Sequence, residues 1–113
     1  MSYDVHLVGP NGMVLPFSER FEEGGTYAIG GEAICRLNIT YNYAEVFGGL
    51  VRGLDSRTAT ETMADLAEFC EKWANAKPYE RDYWAPTPGN ARKAIERLRS
   101  FALEHPDGRW RVS

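Results

Sequence analysis

Apolar and polar residues alternate from the start of the chain, with Tyr3, Val5 and Leu7 separated by Asp4 and His6. Period two puts successive side chains on opposite faces, the pattern of a half-buried strand. Gly9-Pro10-Asn11-Gly12 follows, and Asn-Gly is a strong hairpin-turn signal. Residues 13–17 are expected to return as the partner strand, at an edge, because Pro16 has no N–H to give a ladder. Beyond a charged loop over residues 18–24, "TYAIG" and "EAICRLNITYN" flank Gly30-Gly31 and predict a second hairpin. In its return strand Cys35, Leu37, Ile39 and Tyr41 share one face, and Arg36, Asn38, Thr40 and Asn42 share the other.

The period then changes to that of a helix. Tyr43, Phe47, Leu50, Val51 and Leu54 fall on one stripe, with Asn42 as the expected N-cap and Glu45 in the capping-box position. Gly48 and Gly49 weaken this helix by roughly 1 kcal/mol each relative to alanine. Thr58-x-x-Glu61 opens a second helix with Ala59, Met63, Leu66, Ala67, Cys70, Trp73 and Ala74 as its apolar stripe, ending before Pro78. Thr87 caps a third, with Pro88 at the first helical position, where its missing N–H costs nothing. There Ala91, Ala94, Ile95, Leu98, Phe101 and Ala102 are expected inside, and Arg92, Lys93, Arg97 and Arg99 outside. His105-Pro106 stops it, Asp107-Gly108 turns the chain, and "RWRVS" alternates as a last strand. Residues 1–113 therefore predict a single α+β domain. Its antiparallel sheet has about four to five strands (two hairpins plus a C-terminal strand), with three helices packed on one face.

Composition narrows the function. At 113 residues the chain is long enough for a hydrophobic core without metal or disulfide support. Its net charge of -3 argues against general nucleic-acid binding. Lys and Arg number 6 against 12 Asp and Glu over residues 1–80, but 7 against 4 over residues 81–113, so a basic final third sits on an acidic body. Such asymmetry can steer an anionic ligand, or simply mark a solvated helix face. No apolar run is long enough for a membrane span, and "MSYDVHLVG" lacks the features of a secretory signal. Two cysteines, Cys35 and Cys70, on apolar faces then predict buried reduced thiols in a cytoplasm.

Signatures of catalysis are missing: HExxH, CxxC, a P-loop, GxGxxG and GxSxG are all absent. His6 and His105 lie at opposite ends of the chain. A non-enzymatic protein without cofactor or metal is expected. What remains is aromatic and polar. Asn38, Thr40, Tyr41, Asn42 and Tyr43 form one group, and Asp82, Tyr83, Trp84, Thr87 and Asn90 the other. Both lead into helix N-termini, where free N–H groups favour anions, and both carry flat rings on which a base can stack. In the competing reading Tyr83 and Trp84 plug the core while Thr87 and Asn42 serve as caps.

"GGTYAIGG", "LNITYNYAEVF", "DYWAPTPGNARKAI" and "HPDGRW", in this order and spacing, resemble a family of small proteins encoded by phages and prophages. The resemblance runs from Gly24 onward. It is carried by Tyr41-Asn42-Tyr43, Asp82-Tyr83-Trp84, Thr87, Gly89-Asn90 and Asp107-Gly108, and it departs in the loop between the first two helices and in lacking an acidic tail. It implies a viral accessory protein in a bacterial host cytoplasm. The expected action is binding that counteracts host defence by sequestering a host-derived ligand, such as a signalling nucleotide. The alternative is a protein–protein inhibitor or oligomeric interaction module that blocks a host protein through an exposed aromatic and basic surface including Trp110 and Arg111.

Overall fold

The computed structural model of the protein describes residues 2–18, 26–28, 33–77 and 85–113. The opening alternation forms β1 (Ser2–Val8), with Tyr3, Val5 and Leu7 buried and Asp4 and His6 half-buried. β2 (Thr26–Ala28), β3 (Arg36–Thr40) and β4 (Arg109–Val112) join it, all antiparallel, in the order β2-β3-β1-β4. The first strand is thus central. Val5 lies opposite both Leu37 and Val112, and Leu7 opposite Trp110, so the apolar sides of three strands form one surface.

The fold is α+β, but the expected sheet of four to five strands is corrected. Three strands, β1, β3 and β4, make its body, and β2 adds only a three-residue run beside β3. The Gly30-Gly31 turn of the second hairpin lies outside the described residues. The return arm of the first hairpin does not become a strand: it meets its neighbours at two isolated bridges, Val8 with Val14 and Pro16 with Ile34. Leu15 N–H donates to Leu7 at 3.0 Å while the Leu15 carbonyl accepts from Cys35 at 2.8 Å. The segment therefore divides its bonds between β1 and the approach to β3, and Pro16 has no N–H with which to extend either pairing.

The first helix also differs from its pattern. It becomes a 3₁₀ turn at Tyr41–Tyr43, a four-residue α1 (Ala44–Phe47) and a second 3₁₀ turn at Arg52–Leu54. Gly48 ends α1 at φ 60°, a backbone conformation open to glycine at little cost. Tyr43, Phe47, Val51 and Leu54 are buried nonetheless, so the stripe is kept although the helix is broken.

α2 (Ala59–Lys72) and α3 (Pro88–Glu104) begin at Thr58 and Thr87, whose hydroxyls accept from the N–H groups of Glu61 and Asn90, each at 3.2 Å. The buried side of α3 matches its pattern, with Gly89 and Asn90 added at its start. That of α2 is rotated: Thr62 and Phe69 are buried, whereas Ala74, beyond the helix, is exposed. Thr62 is inside because the fully buried Trp110 donates Nε1–H to its hydroxyl at 2.8 Å, and that hydroxyl in turn donates to Ala59 at 2.9 Å. Helix residues and the inner sides of β1, β3 and β4 share one core. The outer edge of β4 is closed by residues 55–57: Ser56 N–H donates to Trp110, Trp110 N–H to Arg57, and Val112 N–H to the Asp55 carboxylate, each at 2.9 Å.

Candidate functional site

The polar residues singled out in the sequence divide between structure and surface. Thr40 is extended at φ -62°, ψ 141°, and its hydroxyl accepts from Asn42 N–H at 3.2 Å. Thr40, not Asn42, therefore caps the 3₁₀ turn, which corrects the capping box expected at Asn42. Asn42 itself is exposed. Tyr43 has no accessible surface and meets Phe47 edge-on with centroids 5.8 Å apart, so no ligand reaches it. Tyr41 is half-buried, with its ring edge-on to Tyr3 at 4.6 Å. Arg52 lies 5.1 Å from the Tyr3 centroid and 5.7 Å from that of Tyr41, and donates to the Tyr41 hydroxyl at 2.6 Å. This cation–π stack already occupies the ring surface that a base would need.

In the second group Thr87 caps α3, and Asn90 is fully buried with its side-chain NH₂ donating to Ala85 at 3.2 Å. Both are absorbed by the start of the helix. Asp82, Tyr83 and Trp84 lie outside the described residues. Trp110, expected on an exposed aromatic surface, is instead the largest fully buried side chain among the described residues, while Arg111 next to it is exposed.

Asn38 leads to a surface that the sequence did not single out. On the outer side of the sheet it lies opposite Asp4, and one step along His6 lies opposite Arg36 on β3 and Arg111 on β4. An imidazole is thereby set between two guanidinium groups. Asp4 holds Arg36 through two bonds, Nε to Oδ1 at 3.1 Å and Nη2 to Oδ2 at 2.7 Å. The hydrogen bond and charge of Arg36 outweigh burial and hold the Asp4 carboxyl below the usual range. Burial lowers the pKa of His6, assisted by Arg36 and Arg111 and opposed by Asp4 and Asp55. Its Nδ1 is enclosed without a hydrogen-bond partner, and Arg111 has no hydrogen-bond or ion-pair partner among the described residues. The signal was present in the alternation of Asp4 and His6 and of Arg36 and Asn38. Only the antiparallel register brings the two strands side by side.

The remaining chemistry is quiet. Burial pushes the Cys35 thiol up to about 12 and raises that of Cys70, which removes the reactive thiolate from both. Among the described residues no group of three or more His, Cys, Asp or Glu could hold a metal ion, and no helix is long and apolar enough to cross a membrane. No protein-family model, curated protein or solved structure matches the chain.

Proposed function

We propose that the chain is an interaction module, a phage-type accessory protein that binds a protein of its bacterial host through the outer face of the sheet. The observation that carries this reading is the one-sided sheet. Its inner side is sealed into the core, while the outer side presents Asn38, His6 and Arg36 half-buried and Arg109 and Arg111 exposed, without a described helix over them. A flat polar face with exposed arginines suits a macromolecular partner, because arginine is enriched in interfaces and gains from desolvation there. The resemblance to phage-encoded proteins supports a host target in the cytoplasm. The small-ligand form, a nucleotide stacked on tyrosine, has less support, since Tyr43 is buried and Tyr41 is already stacked by Arg52.

A photo-crosslinking amino acid at Asn38, with Ala64 on the exposed side of α2 as the control position, tests the reading in bacterial lysate. The expected result is a discrete protein adduct at Asn38 that is absent at Ala64 and lost with Arg111→Glu. No adduct at Asn38, together with heat on titrating a cyclic or ADP-ribose-type nucleotide, overturns it in favour of ligand sequestration.

A further inference from the structure

We infer that the cleft between α1 and the second half of α2, on the helical side of the molecule, receives a lysine or arginine side chain from a partner protein. This rests on the interaction-module reading but concerns a different surface. The cleft has a volume of about 420 Å³, and Phe47, Leu50 and Phe69 give it an apolar floor. Glu45 from α1 and Glu68 from α2 line it, both exposed, and neither carboxylate has an ion pair or hydrogen bond among the described residues. Its other charged groups are engaged elsewhere. Asp65 is held by Arg57 at 3.1 Å, and the Lys72 ammonium lies 5.2 Å from the Trp73 ring centroid.

The occupant follows from that chemistry. A hydrated metal ion gains nothing from an aromatic floor, and two free carboxylates from different helices are fewer than such a site needs. A basic side chain matches both parts, because its aliphatic stem covers apolar surface while its head stays at the polar rim. There it meets two carboxylates in charge-assisted hydrogen bonds. At about 420 Å³ the open cleft has room for more than one basic side chain, so residues flanking it enter as well and the source is a segment of a protein rather than a free amine. Apolar neighbours of the basic residue would extend over Val46 and Leu50, which are half-buried beside it.

The test is an amide-resolved NMR titration of the full chain with the peptide acetyl-Ala-Leu-Arg-Leu-Ala-amide. A counterpart with glutamine for arginine, n-butylguanidinium and magnesium chloride are titrated separately. The expected result is peptide-induced shifts confined to residues 45–50 and 65–72, absent with the glutamine peptide and with magnesium. Binding should weaken roughly tenfold or more, about 1.4 kcal/mol, in the double variant Glu45→Gln with Glu68→Gln, at unchanged melting temperature. Absence of shifts in these segments, equal binding of the glutamine peptide, or full binding by the double variant overturns the inference. n-Butylguanidinium binding as tightly as the peptide overturns the protein source, and shifts that grow with protein concentration alone assign the cleft to a second copy instead. The Asn38 adduct is read in parallel. Its retention when the peptide fails to bind removes this inference alone, and its loss when the peptide binds removes the sheet-face reading alone.

Discussion

Trp110 and Thr62 show how one side chain can set the orientation of an element. The indole N–H has no water to turn to, so its bond to the Thr62 hydroxyl, 2.8 Å long and buried, is hard to replace. Thr62→Val keeps the shape and removes the acceptor. It is expected to cost about 1–3 kcal/mol in urea unfolding, with Thr62→Ser recovering most of it. His6 gives a second prediction at this scale. Its folded pKa is lowered, so the unfolded chain binds the proton first as pH falls. Stability contributed by the neutral ring is complete above the ordinary histidine value and declines as pH drops through that value towards the folded one. The melting temperature should therefore fall more between pH 7.5 and pH 5 (a window set around roughly 6.5) in the native chain than in His6→Gln. Equal slopes would show that neither burial nor Arg36 and Arg111 lowers the pKa of the ring.

The elements are held at their ends by short polar side chains, and the sequence marked two of three such ends correctly. Thr58 and Thr87 cap α2 and α3, so Thr58→Ala and Thr87→Ala should each cost about 1 kcal/mol in thermal unfolding. Thr40→Ala should destabilise similarly, whereas Asn42→Ala should cost much less, because Thr40 makes the capping bond. The reverse order would restore Asn42 as the cap. The sequence placed the C-terminal end of α2 before Pro78, but what satisfies that end was not legible. Arg92, expected to face away on α3, donates to the carbonyls of Trp73 at 3.2 Å and Ala74 at 2.8 Å, satisfying groups that a helix end leaves open. That partner lies 18 to 19 residues along the chain, out of reach of any local pattern.

At the scale of the whole molecule, the proposed binding face lies on the side of the sheet away from the described helices, so stability and binding are expected to separate. Arg111→Ala and Asn38→Ala are each expected to leave unfolding free energy within roughly 0.5 kcal/mol, since neither side chain belongs to the core. A large loss in either would make the outer face a packed surface and not a binding one. The sequence by itself determined the α+β class, the inward residues of β1 and β3, the helical stripe of α3, and two N-caps. These follow from period and from contacts within three or four residues, which a chain carries wherever it folds. It misjudged the arm at residues 13–17, the length of the first helix and the exposure of Trp110. Each depends on which distant backbone or hydroxyl is near: Ile34 and Cys35 for the arm, the packing of Tyr43 and Phe47 around a turn at Gly48, and Thr62 for the indole. The row Arg36, His6, Arg111 is of the same kind. Three residues spread over most of the chain become neighbours through antiparallel register, and only the tertiary structure sets that register, because it is fixed by burying Leu37, Val5 and Val112 against the same helices.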